Sequence, residues 1–436
     1  MSLEKAYGWI DIFCQKMFGH GITSNIREFI GQLSWSFFGG IFSSVILLLT
    51  NVLAGRWLGA VEYGKYSAVF ALAQILIVFS LIGMDLSIVR KLANGSTITK
   101  STDISASLGA VIIWILGCGG MFFLTKGYIE TFFHVDVVFL SSAFTLGFLL
   151  SFRQLADSII RGLHLFRIQA ISRIIESVFI FCSFFFLVFY LQRTGFSTYL
   201  YALELGGAFL ILIYLFFIRQ YLTPFVFSDV SSLFVYGKMV FVAGLFGIIF
   251  GSLDKIAIAK YLDFSQLGIY SAYYTASFLL ISQLGSLIDN VFFPTIARLK
   301  DNLDSIINKV DYLSLILFFP LLIGMSGIIS IVLSLFGNQY PLKWQYVIGF
   351  SLLATLKMIL IINTSLITVF STTSLKLGVI YGNAINILFV VLFFLYITFF
   401  HLSISVMVIL LIIYTALFII LNKWILYRVG FYRKKL

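Results

Sequence analysis

The sequence predicts an all-α integral membrane protein. It is expected to have about 12 transmembrane helices in two six-helix bundles, related by a pseudo-two-fold axis along the membrane normal. Three observations carry this: a composition too apolar for water, apolar runs of spanning length, and an internal repeat. The 436 residues are 61% hydrophobic and 11% charged. A soluble domain averages about 45–50% apolar and about 25% charged residues. So few charges cannot cover a soluble surface, and the excess apolar area must face lipid. Lipid offers the backbone no hydrogen-bond partners, so spans are helices or closed barrels. Barrel strands alternate in polarity over about 10 residues. The runs here, such as Val111–Leu124 and Ile387–Phe400, are continuous, which selects helices.

Spans of about 20 apolar residues are expected at 34–55, 64–86, 104–125, 137–157, 169–191, 197–218, 235–253, 265–290, 311–336, 345–371, 375–400 and 403–427. Residues 1–33 read as an amphipathic segment on the membrane surface; they lack the compact apolar core of a cleavable signal peptide. The chain then divides into an N-terminal bundle (34–218), a linker (219–234), a C-terminal bundle (235–427) and a basic tail (428–436). The net charge of +11 reads as topology signalling and not as nucleic-acid binding. Arg90, Lys91, Lys100, Arg153, Arg161, Arg167, Arg173, Arg219, Arg298, Lys300 and Lys309 share one side with both termini. The other side holds Arg56, Lys65, Lys126, Arg193, Lys255, Lys260 and Lys343. With Lys5, Lys16 and Arg27 of the N-terminal segment and Lys423, Arg428, Arg433, Lys434 and Lys435 of the tail the bias is roughly threefold, and the positive-inside rule places both termini in the cytoplasm.

The repeat aligns 56–68 (RWLGAVEYGKYSA) with 260–272 (KYLDFSQLGIYSA) without a gap. Gly64 meets Gly268, Tyr66-Ser67-Ala68 meets Tyr270-Ser271-Ala272, and Asp85 meets Asp289 in the same register. Each motif joins the first two helices of a six-helix half. Two parallel halves about an axis enclose a cleft, and rocking one half against the other gives alternating access.

Enzyme signatures are absent. There is no phosphate-binding glycine loop and no H-E-x-x-H pair, and the four histidines are scattered. Cys14, Cys118 and Cys182 have no metal-ligand spacing, and no cofactor is expected. Charged residues inside spans are costly and usually face a protein interior or an aqueous cavity. Lys357, midway along the tenth span, needs an anion: a substrate phosphate, or a carboxylate such as Glu204. Asp254 and Lys255 close the predicted seventh span. Arg153 and Lys238 lie near cytoplasmic span ends, where they either meet an anionic group or snorkel to lipid. Glu204 is read as a protonatable site or a structural partner, and Glu176 as the ion-pair partner of Arg173. Gly247-x-x-x-Gly251 offers a close helix approach, and Pro320 a bend.

The stretch Ala54-Gly55-Arg56-Trp57-Leu58-Gly59-Ala60-Val61-Glu62-Tyr63-Gly64-Lys65-Tyr66, with Gly83-Met84-Asp85-Leu86-Ser87-Ile88-Val89-Arg90 at the end of the second span, resembles polysaccharide repeat-unit flippases. So does Leu253-Asp254-Lys255-Ile256 leading into Gln266-Leu267-Gly268-Ile269-Tyr270-Ser271-Ala272. These are the Wzx-type O-antigen transporters of the multidrug/oligosaccharidyl-lipid/polysaccharide exporter superfamily. The resemblance implies movement of an undecaprenyl-pyrophosphate-linked oligosaccharide across the bacterial inner membrane, driven by an ion gradient. A pyrophosphate needs cations in the cleft: the family's motifs carry over Arg56 and Lys255, which join Arg153, Lys238 and Lys357 read from their place in or near the spans, and the candidate coupling carboxylates are Asp85, Glu204 and Asp254, the last also carried by the motifs. The resemblance also implies work beside a polysaccharide polymerase and chain-length regulator, with a monomer sufficient. Three rivals remain: a lipid II flippase, a drug/cation antiporter and a membrane-embedded polymerase.

Overall fold

A computed structural model of the chain describes residues 24–94, 97–133, 137–287, 303–370 and 372–433. Among them every regular element is helical. The helices are α1 (Ser24–Leu81), α2 (Met84–Asn94), α3 (Thr97–Phe133), α4 (Val137–Gly162), α5 (Phe166–Phe185, continued by a π-turn to Tyr190) and α6 (Ser197–Ile218). They continue with α7 (Phe227–Tyr261), α8 (Phe264–Leu287), α9 (Leu303–Phe336), α10 (Trp344–Phe370), α11 (Thr372–Phe399) and α12 (Ile404–Arg433). Asp289, Arg298, Lys300, Cys14 and residues 1–23 lie outside the described residues.

Helix α1 has 58 residues, about 87 Å if straight and far beyond the hydrocarbon thickness. Gly59 solves this with φ 80° and ψ 167°, a conformation essentially reserved for glycine. The turn divides α1 into two arms, the first and second expected spans. Nine described stretches are long and apolar enough to cross a membrane, the first being this double one, Phe38–Leu81. Adding α7 and α8 completes the twelve-span order, with α2 as an extra short helix. Side chains such as Leu124, 85% exposed, need lipid around them.

Two boundaries differ from expectation. The second span stops at Leu81, because Ile82 (φ 47°) and Gly83 (φ 73°) break the helix. Asp85 therefore opens a separate helix instead of ending the span. The seventh span runs two turns past its expected end, since Ala257-Ile258-Ala259 continues the helix beyond the charged pair. Asp254 and Lys255 are thus inside a helix, and Asp254 is only 4% exposed.

The repeat appears as reciprocal packing. A Cβ on Gly64 would overlap the carbonyl oxygen of Phe264, and a Cβ on Gly268 would overlap that of Ala60. Phe264 and Ala60 are themselves equivalent positions of the repeat, so the pseudo-two-fold axis passes between the second arm of α1 and α8. Further bonds join the halves at this Gly59 end. Tyr340 donates to Gly55 O (2.8 Å), Ala60 N donates to Gln339 Oε1 (3.2 Å), and Tyr63 Oη lies 3.3 Å from Thr275 Oγ1. The largest apolar core accordingly mixes both halves, with Tyr63 and Phe184 beside Tyr270, Phe336 and Phe350.

The same offset of 204 residues holds farther along the chain. Ala143, Leu146, Gly147 and Ser151 of α4 are buried, and so are Val347, Phe350, Ser351 and Thr355 of α10. Ser151 donates to Gly147 O (2.7 Å), and Thr355 donates to Ser351 O (2.9 Å). Two residues on, the register pairs Arg153 with Lys357.

Candidate functional site

The interior charge gathers on α7, α8 and α10. From the Gly59 end, α8 presents Tyr270, Tyr274 and Phe278, spaced one helical turn apart on one face. Asp254 of α7 accepts a short bond from the Tyr270 hydroxyl and another from the Lys255 backbone N–H (2.8 Å). The Lys255 ammonium stands 4.2 Å from the Tyr274 ring centre. The Lys357 ammonium stands 4.3 Å from the Phe278 ring centre and 5.9 Å from that of Tyr274. An aromatic face attracts a cation through its quadrupole, so the stripe holds both ammoniums without a counter-ion. Among the described residues no carboxylate comes within 4.0 Å of either lysine. Both side chains are half-buried.

The expected Lys357–Glu204 pair is not formed, because Glu204 accepts instead from Thr145 Oγ1 (3.1 Å) in the N-terminal half. Arg153 is engaged elsewhere: it donates twice to Glu176, at 2.5 and 2.7 Å. Glu176 therefore does not pair with Arg173. Arg173 binds Asp157 (2.8 Å), which also accepts from Gln169 (3.0 Å) and Tyr214 (2.9 Å). Arg161 approaches the same carboxylate at 3.5 Å. Arg56 is exposed beside Gly337 at the Gly59 end, and Lys238 is exposed near the start of α7. Asp85 accepts from Gln154 Nε2 (2.8 Å), away from the lysines. The eight residues singled out in the sequence thus separate, and Asp254, Lys255 and Lys357 alone share one cluster. A Cβ on Gly247 or Gly251 would meet open space, so among the described residues no neighbouring helix uses that expected contact surface.

Sequence reasoning missed Tyr270, Tyr274 and Phe278 as site residues, although Tyr270 was visible in the repeat. The i, i+4, i+8 aromatic spacing ahead of a span lysine was the available signal. It also missed Asp157, Gln169 and Tyr214, which organise the arginines of the N-terminal half. No metal-binding group of three or more His, Cys, Asp or Glu side chains occurs among the described residues.

The profile of the family described as polysaccharide biosynthesis protein matches residues 31–300. The chain belongs to that family. No curated protein sequence matches it significantly. Solved structures share the fold at low identity. One is a multidrug resistance MATE family transporter of the MOP superfamily in an inward-facing conformation, with 14% identity, TM-score 0.56, and coverage of 88% of this chain and 95% of that one. The eukaryotic MATE transporter AtDTX14 has 15% identity, TM-score 0.52, and coverage of 92% and 99%. A MOP superfamily transporter from Pyrococcus furiosus, whose binding pocket is described as having reverse polarity, has 12% identity, TM-score 0.52, and coverage of 92% and 95%. This member of the polysaccharide biosynthesis protein family is thus a multi-pass membrane protein with the fold of those transporters.

Proposed function

We propose that this transporter is a flippase for undecaprenyl-pyrophosphate-linked oligosaccharide repeat units of O-antigen or a related surface polysaccharide. It moves them from the cytoplasmic to the periplasmic leaflet of the bacterial inner membrane. The observation that carries this reading is the pair of interior lysines, Lys255 and Lys357, held on an aromatic stripe with no carboxylate in ion-pair range among the described residues. An ammonium inside a span without an anion beside it is costly, and a pyrophosphate supplies the negative charge. Lysine meets phosphate as a point charge. The cleft between the halves takes the head group while the prenyl chain stays in lipid.

In this reading both termini are cytoplasmic, and the Gly59 end, with Arg56, is periplasmic. Residues 34–218 and 235–427 are the two rocking units, joined by 219–234. Ion-gradient coupling falls to Asp254, the carboxylate nearest the lysines, ahead of Asp85 and Glu204. Lys238 is a head-group contact near the cytoplasmic surface, and Arg153 is structural. A monomer suffices, and the polymerase and chain-length regulator act on the delivered unit. The MATE-like fold also accommodates a drug/cation antiporter, but interior cations disfavour a cationic cargo.

The test is deletion of the gene in its host, with surface polysaccharide read on a gel and lipid-linked intermediates extracted from the same cells. Loss of long polysaccharide and accumulation of one repeat unit that periplasmic ligation cannot reach is expected. Unchanged polysaccharide and intermediates would overturn the reading.

A further inference from the structure

Helix α1 is capped from across the divide between the halves, whereas its counterpart in the repeat is capped from within. In the register that pairs Gly64 with Gly268, Gly59 stands for Asp263. Asp263 opens α8 as an ordinary N-cap: its Oδ1 accepts from Gln266 N (2.6 Å) and its backbone O from Leu267 N (3.0 Å). Gly59 has no side chain to do this. Glu62, three residues on, holds the place of the acid in a capping box. It accepts instead from Phe196 N (2.8 Å) and Lys65 Nζ (2.6 Å). A helix end leaves backbone groups without intrahelical partners, and the break at Gly59 makes two such ends.

The loop between α9 and α10 serves both. Gln339 Oε1 accepts from Ala60 N (3.2 Å), the first amide of the second arm. The Tyr340 hydroxyl donates to Gly55 O (2.8 Å), in the last turn of the first arm. A Cβ on Gly59 would stand 2.7 Å from Gln339 Oε1, so the glycine also clears the approach of that amide. Tyr340 is buried, its ring packed against those of Phe336 (5.0 Å) and Tyr63 (6.3 Å). The loop itself is fixed to the C-terminal half. Gly337 turns it with φ 99°, and Tyr273 of α8 donates to Pro341 O (3.0 Å) and accepts from Lys343 N (2.8 Å). The strap is thus anchored on α8, α9 and α10 and holds both arms of α1. Val135 and Asp136, the equivalents of Gln339 and Tyr340, lie outside the described residues.

We propose that residues 337–343 are a latch on the gate at the Gly59 end, with Gln339 and Tyr340 capping α1 only while the two halves touch there. When the halves part, both bonds break, and Gly55 O and Ala60 N turn to water in the opened cleft. Contacts made in one conformation alone bias the equilibrium toward it. The latch therefore sets how readily this end opens and takes no part in holding cargo. This rests on the rocking halves and the orientation of the flippase reading, not on its substrate.

The test uses the full chain carrying Thr275→Cys in a background lacking the native cysteines. Thr275 Oγ1 lies 3.3 Å from Tyr63 Oη across the gate. Labelling by a membrane-impermeant maleimide in spheroplasts reads opening toward the periplasm. Hydrogen–deuterium exchange in lipid nanodiscs reads the amides of residues 60–63. Tyr340→Phe removes a buried bond and should label about fivefold faster. Gln339→Ala removes the cap and should label about two- to fivefold faster, since the Gln339 side chain is exposed. The double variant should label about tenfold faster or more, with faster exchange confined to the turn at Gly59. Gln339→Glu keeps an acceptor for Ala60 N and should label like wild type. Unchanged labelling in the double variant, a Gln339→Glu that opens as Gln339→Ala does, or exchange raised across both halves would overturn the proposal. These readouts need no cargo, so the latch can fail while polysaccharide loss in the deletion strain still supports the flippase reading. Unchanged polysaccharide in that strain would retire the flippase reading and leave the latch to be judged on the gate.

Discussion

Replacing Gly268 by alanine places a methyl group where the main chain of Ala60 already lies. The new Cβ would sit 2.8 Å from the Ala60 carbonyl carbon and 3.1 Å from its Cα, with the carbonyl oxygen nearer still. Carbon atoms pack at about 3.5–4.0 Å, so the second arm of α1 and α8 must part by about 1 Å. A main-chain obstacle cannot rotate aside as a side chain does. Overpacking of this kind costs about 1–3 kcal/mol, and the helix propensity gained on replacing glycine returns about 1 kcal/mol. The cost falls only on the conformation in which these arms touch. The propensity gain is common to both conformations, so the bias between them is the overpacking cost of about 1–3 kcal/mol, a factor of about 5–150 in a two-state equilibrium. Gly268→Ala should therefore populate a state open at the Gly59 end. Spin labels at Arg193→Cys and Leu342→Cys, both exposed at that end, in a background lacking the native cysteines, report the separation by pulsed electron resonance. A larger long-distance population is expected, and Gly64→Ala should act in the same direction because the contact is reciprocal. An unchanged distance distribution in both variants would refute the idea that the two halves must separate here.

Three further outcomes follow from the same contacts. Tyr340→Phe removes the inter-half bond to Gly55 O, worth about 1 kcal/mol, and should move the spin-label distances as Gly268→Ala does, by a smaller amount. Glu176→Gln leaves Arg153 without its anion. Loss of a buried partner costs about 3–5 kcal/mol; with the Arg153 side chain 32% exposed, about 2–3 kcal/mol is expected here after allowing for solvent screening. It should appear as a lower unfolding temperature in detergent, largely recovered in Arg153→Met/Glu176→Met. Lys357→Gln should abolish most polysaccharide export while leaving membrane abundance and melting temperature at or above wild type, because it removes an interior charge that forms no ion pair with any carboxylate among the described residues. Lowered stability with retained export would contradict that assignment.

Much of the frame was legible because lipid simplifies the code. Span length is fixed by bilayer thickness, and the even helix order and the duplication followed from runs and a gapless repeat. The motif even held the contact that defines the axis, since Gly64 and Gly268 were aligned before their packing was known. Local breaks were less legible. Gly59 and Gly83 are ordinary glycines in sequence, and their positive φ depends on which neighbour each turn must meet. Asp254 and Lys255 masked the last two turns of their helix, because adjacent charges usually mark an interface. Partner choice was the least legible property. Glu176 lies three residues from Arg173, yet it binds Arg153 across α4 and α5. Lys357 turns to Phe278 and not to Glu204. Such pairings are set by helix rotation, which periodicity in an all-round apolar helix does not encode. The equivalence of Arg153 and Lys357 needed the burial pattern of α4 and α10, since the sequence there shares little beyond size and charge.

The central claim is transport of a lipid-linked oligosaccharide, and leaflet exchange tests it most directly. Purified protein is reconstituted into liposomes with the prenyl-diphosphate-linked oligosaccharides extracted from a host strain lacking its polymerase. Cold periodate, which does not cross the bilayer, then tags the glycans of the outer leaflet. With wild-type protein and an imposed ion gradient, glycans that were protected in the inner leaflet should become tagged within minutes, while Lys357→Gln liposomes keep theirs protected. Inner-leaflet glycans that stay protected with wild-type protein under every gradient applied would contradict the claim.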